Sequence, residues 1–100
     1  MTTLHVLSHS PFTDSRLSSC LRLLSLHDGV LLSGDAVYAL QAGTAQRHAL
    51  ELMPDAIGLF ALEEDLHARA ISDLPARVRC LDYPAFVELT LRYAKVNSWL

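Results

Sequence analysis

Long apolar runs, clustered basic residues and glycine-rich loops are what this sequence has least of. No uninterrupted apolar stretch approaches the about 20 residues that cross a bilayer, so a membrane partner is not expected. Eight Lys and Arg stand against eleven Asp and Glu, a net charge of −3, and the basic residues are scattered. No stripe exists to neutralise a phosphate backbone, which argues against strong direct nucleic-acid binding. The start, MTTLHVLSHS, carries neither the basic residues nor the apolar run of a signal peptide. Only two cysteines occur, 60 positions apart, which matches neither a CxxC metal pair nor a secreted disulfide framework. Together these absences point to the cytoplasm. Neither GxGxxG nor GxxxxGK followed by Ser or Thr is present, so no nucleotide or other cofactor is expected.

What is there is a core. Of 100 residues, 51% are hydrophobic, well above what a disordered chain carries. Short apolar runs alternate with helical periodicities. TLHVL (3–7), VLL (30–32), AIGLFAL (56–62) and RVRCL (77–81) read as strands, the third apolar enough to be buried on both faces and the fourth alternating as an edge strand does. Leu17, Cys20, Leu21 and Leu24 recur at helical spacing after a cap at Asp14 or Ser15, and the helix is expected to end at His27–Gly29, with Gly29 left-handed. A second helical face is predicted at Ala45, Ala49, Leu52 and Met53. A short helix follows at 63–71, and a last one opens near Pro84, lined by Phe86, Leu89, Thr90 and Tyr93. The tail VNSWL is too short to assign. The order β-α-β-α-β-α-β-α, with no linker or repeat, predicts one domain over 1–100. Its fold class is an α/β layer sandwich, a mainly parallel sheet of about four to five strands flanked by helices.

Reactive groups in open parallel sheets gather at the carboxyl ends of strands. Here those positions hold Ser8, His9 and Ser10, then Ser33, Gly34 and Asp35, then Glu63, Glu64 and Asp65, then Asp82 and Tyr83. The acidic trio suits the positive end of a helix and reads first as a solvated helix start. His5 and His9 lie on a strand and its loop without further ligands, so no metal site is expected; His9 is at most a group that orients a partner. Cys20 shares the apolar stripe of its helix and lies past the first turn, which favours packing over reactivity, with Arg16 the one local group that favours activation. Cys80, on the apolar side of the fourth strand, is expected to pack as well.

The segments LHVLSHSPF, LSSCLRLL, GVLLSGDAVYALQAG, LFALEEDLHARAI and DYPAFVELTLRYAKVNSWL, in this order over residues 4–100, resemble the TusB/DsrH family. The resemblance implies a DsrE/DsrF/DsrH-like fold and a heterohexamer with TusC-like and TusD-like subunits. In that relay persulfide sulfur passes from a TusA-like donor toward a TusE-like acceptor and serves 2-thiouridine formation at the tRNA wobble position. The family's principal persulfide cysteine lies after the third strand of the TusD or DsrE subunit. The matching place here, Glu63–Asp65, has none, so the resemblance implies an accessory, non-catalytic subunit. Cys20 matches a cysteine characteristic of DsrH-type members, which makes it a candidate auxiliary persulfide site. Three alternatives stand: a DsrH-type subunit of a DsrEFH sulfur-oxidation relay, a free-standing persulfide carrier using Cys20, and a small α/β interaction module without a sulfur role.

Overall fold

Five short strands, the first three largely apolar, pair into one sheet in the computed structural model, which describes residues 2–99. Met1 and Leu100, the two ends of the expected 1–100 domain, lie outside the described residues. In chain order the elements are β1 (Thr3–Leu7), α1 (Arg16–Leu23), β2 (Gly29–Leu32), a 3-10 helix (Gly34–Leu40), α2 (Ala45–Glu51), β3 (Gly58–Leu62), α3 (Glu63–Ala68), β4 (Arg79–Leu81), α4 (Tyr83–Thr90) and β5 (Lys95–Trp99). The strand order is β4-β3-β2-β1-β5, and every pairing is parallel.

This order dictates where the helices lie. From β1 to β4 the chain steps outward in one direction, and α1, the 3-10 helix, α2 and α3 all pack on one face over Leu7, Val30, Leu32, Leu59 and Ala61. To reach β5 on the far side of β1 the chain must reverse direction. Keeping the same crossover hand then requires α4 to cross the opposite face. There it packs Leu89, with Phe86 and Tyr93 beside it, on Leu4, Leu31, Phe60 and Leu62.

Several elements depart from the sequence reading. The unassigned tail is β5, whose Lys95–Trp99 pairs residue by residue with Thr3–Leu7. The fourth strand shrinks to three residues, and Cys80 is exposed there, not packed, because no helix covers this edge position. In α2 the buried residue is Leu50, whereas Leu52, expected inside, is 69% exposed, because the helix ends at Glu51 and the chain turns at Leu52. α1 stops at Leu23, and the left-handed residue after it is His27 (φ 74°). Gly29 instead opens β2, where a Cβ would come within 2.4 Å of Tyr93 Oη; space, not backbone freedom, requires glycine there.

Arg77, expected in β4, precedes it and closes the open end of α2. Its guanidinium donates to the carbonyls of Met53 (2.6 Å), Ile57 (2.8 Å) and Pro54 (2.9 Å), with longer bonds to Leu50 and Glu51. Helix carbonyls without partners are costly when partly buried. Arg77→Ala is therefore expected to lower stability by about 2–3 kcal/mol in urea unfolding. Arg77→Lys should recover little, since one ammonium cannot span the carbonyls that the planar fork reaches.

Candidate functional site

The connections leaving β3 and β4 run to opposite faces of the sheet, so the carboxyl ends of these two strands flank the topological switch point. In open parallel sheets ligand sites form at that crevice. At these strand ends stand Glu63, Glu64 and Asp65 at the start of α3 and Asp82 and Tyr83 at the β4–α4 junction, with Cys80 on the adjoining edge strand.

Asp65 and Asp82 have visible structural tasks. Asp65 Oδ2 accepts the Gly34 amide at 2.8 Å, tying the end of β3 to the loop after β2. Arg69, one helical turn on, donates from Nη2 to Asp35 Oδ1 at 2.8 Å, lies 3.7 Å from Asp65 Oδ1 and sits over the Tyr38 ring. The hydrogen bond to Asp35, outweighing partial burial, holds the Arg69 guanidinium above its ordinary value. Ser33 Oγ donates to the Leu7 carbonyl at 3.0 Å, joining the ends of β1 and β2. Asp82 Oδ1 caps α4 through the Ala85 amide at 2.9 Å. Glu63 and Glu64 are exposed, as is His9, the group considered for orienting a partner. Asp65 and Asp82 thus fix a loop and a helix start, and Glu63 and Glu64 stay at the surface.

The two thiols lie in opposite settings. Cys20 is fully buried between α1 and the sheet, and burial, with a smaller contribution from the Asp28 charge, pushes its thiol up to about 12. Arg16, the group that favoured activation, pairs with the Asp14 carboxylate. Asp14 Oδ1 also accepts the Arg16 amide at 2.7 Å and so supplies the helix-start bond expected of it. Cys80 is exposed; partial burial and then Glu63 push its thiol above 9.0. Among the described residues no three His, Cys, Asp or Glu side chains are arranged to hold a metal ion.

A second polar cluster, at the amino-terminal side of the sheet, escaped the sequence reading. Asp28, 3% exposed, accepts the amides of Thr3 (Oδ1, 2.9 Å) and Ser25 (Oδ2, 3.0 Å) and faces His5 Nε2 at 3.4 Å. His5 Nδ1 in turn receives the Trp99 indole N–H at 3.1 Å. Burial alone would raise the Asp28 carboxyl; the two amides and His5 outweigh it and hold it below its ordinary 3.8. No local pattern signals this cluster, because its members are brought together only by the pairing of β1 with β2 and β5.

The parallel sheet with helices on both faces places the chain among α/β layer proteins of one particular topology. The same fold occurs in the ychN protein from E. coli (TM-score 0.81, 21% identity, covering 99% of this chain and 100% of that one). It also occurs in a protein of unknown function from Methanobacterium thermoautotrophicum (TM-score 0.70, 15% identity, 96% of each chain). In sequence, residues 9–96 match the family described as DsrH like protein. Protein TusB of Erwinia tasmaniensis is 39% identical over 97 residues, covering 96% of this chain and 99% of the relative. Protein TusB of Serratia proteamaculans is 40% identical over 98 residues, with the same coverage. The chain belongs to the TusB/DsrH family. Among the described residues, no helix is long and apolar enough to cross a membrane.

Proposed function

We propose that this chain is the accessory subunit of a cytoplasmic TusBCD-like sulfur-relay complex that serves 2-thiouridine formation in tRNA. It completes the assembly with TusC-like and TusD-like subunits and positions the partner cysteine that carries the persulfide. The observation that carries this reading is the start of α3, where Glu63, Glu64 and a loop-locking Asp65 stand and no cysteine; the exposed Cys80 lies on the adjoining edge strand, its thiol pushed above 9.0 by partial burial and by Glu63. In the transfer itself a partner's thiolate attacks the outer sulfur of a donor persulfide and expels the donor thiolate. Such a step needs an accessible thiolate, and Cys20 offers a buried thiol. As an auxiliary acceptor, Cys20 would act only after α1 lifts from the sheet, so the proposal gives it no part in the main transfer.

Exposed apolar side chains support a partner-covered surface. Tyr83, Val87 and Leu91 follow one another at four-residue spacing along the outward side of α4 and its end, 57%, 52% and 82% exposed. Exposed apolar groups gathered in this way are typical of protein interfaces.

The test is co-purification of the tagged chain with TusC-like and TusD-like proteins, together with the 2-thiouridine content of tRNA after deletion of its gene. The proposal expects stable association and loss of the thiolated nucleoside. Absence of both overturns it. The match to the DsrH-like family favours, as a second reading, a subunit of a DsrEFH sulfur-oxidation relay. Association with sulfite-reductase-linked partners and unchanged tRNA would select that reading.

A further inference from the structure

The Asp28–His5–Trp99 chain ties the last strand to the first, and the chemistry of its middle member makes that tie conditional. An indole N–H can only donate, so His5 Nδ1, 3.1 Å from Trp99 Nε1, must accept. The ring proton then sits on Nε2, directed at Asp28 Oδ2. We propose that His5 is a proton-sensitive latch: neutral, it holds Trp99 and the end of β5 against β1; doubly protonated, it releases them. The inference does not depend on the sulfur-relay reading.

Protonation places a second N–H on Nδ1, facing the indole N–H, and two donors cannot share a bond. The rings lie 6.1 Å apart, tilted by 41°, and the indole presents its N–H edge to His5. That edge is the positive side of the aromatic quadrupole, so a cation–π contact does not replace the lost bond. On the other side of the ring the imidazolium gains an ion pair with Asp28, which keeps β1 and β2 together. The release is therefore confined to β5.

The charged surroundings agree. Lys95, on β5, lines the same open hollow of about 410 Å³ as His5 and Asp28, so a second cation there repels it. Cys20 from α1 and Tyr93 from the segment before β5 feel the Asp28 charge, and burial keeps both protonated, so neither adds charge near neutral pH. β5 is an edge strand paired only to β1, and its first four residues are exposed. Its carboxyl end is held by the ladder to β1, by packing of the Trp99 side chain on the main core and by the indole bond to His5, and only the last of these changes with the protonation of His5.

Trp99 is the only tryptophan, so its signals report the latch directly. The experiment follows the purified full chain from about pH 8 to about pH 5, the range in which imidazoles take up a proton. Ring nitrogen shifts of His5, the Trp99 indole N–H resonance and quenching of Trp99 by acrylamide are read together. The expected result is the Nε2–H form at high pH. On acidification the indole bond is lost and quenching rises several-fold, while far-UV circular dichroism stays unchanged. In His5→Gln the pH response should vanish, although His9, His27, His48 and His67 are all retained. An Nδ1–H form at high pH overturns the proposal, as does the same rise in quenching with His5→Gln. If that variant does not fold, the ring-nitrogen measurement on the native chain decides alone.

Discussion

Asp28→Ala is expected to destabilise the fold by about 3–5 kcal/mol, a large share of the stability of a chain this size. The carboxylate accepts two backbone amides and faces His5; Thr3, His5 and Asp28 are buried, whereas Ser25 is exposed. Removing it leaves the buried Thr3 amide and the His5 Nε2–H without an acceptor at the junction of β1 and β2, and each orphaned buried donor costs about 1–3 kcal/mol. Asp28→Asn keeps one carbonyl oxygen and should lose roughly half as much. Because the folded carboxyl sits below its ordinary 3.8, its contribution is fully present above that value. It is lost as pH falls through the lower folded-state value. Unfolding midpoints of the native chain should thus drop on acidification below about pH 4, and those of Asp28→Ala should drop less. Denaturant unfolding at a series of pH values checks both; a loss under about 1 kcal/mol for Asp28→Ala contradicts the assigned role.

The second large effect concerns the thiols. In the native chain a thiol reagent is expected to modify Cys80 and leave Cys20 untouched until the protein unfolds. The shift of Cys20 from 9.0 to about 12 lowers its thiolate fraction about 1000-fold, before steric exclusion is counted. Cys80 is also raised, yet it is exposed. Cys80→Ser should therefore render the native chain unreactive, with one thiol recovered in denaturant. Modification of Cys20 at the rate of a free thiol would show that α1 opens readily, and would return Cys20 to the relay as an acceptor.

These thiols also show how far the sequence carried. The stripe Leu17, Cys20, Leu21 and Leu24 was readable because helical periodicity is local, and the burial of Leu17 and Cys20 follows it. The first three strands and the helix after Pro84 were readable for the same reason. Cys80 was misplaced because alternation says which side a residue faces, not whether anything covers that side. β5 was missed because KVNSW has little apolar character and becomes a strand only by pairing with β1, some ninety residues earlier. The vacancy of thiol at Glu63–Asp65 was legible from the family resemblance alone. The lock between Asp65 and Gly34 was not, since it spans 31 residues. The Asp28–His5–Trp99 chain was the least legible feature, its bonds joining residues 23 and 94 apart. Those contacts exist only once the strand order does.

The central claim is that this chain positions a sulfur-bearing partner and does not carry the main sulfur itself. Peptide mass spectrometry tests it most directly, after a persulfide donor is supplied to the chain alone and to the chain assembled with TusC-like and TusD-like subunits. The account predicts one added sulfur on the TusD-like partner's cysteine in the assembly, and none on Cys20 or Cys80 of this chain while it remains folded. Sulfur on Cys20 that then moves on to an acceptor would contradict it.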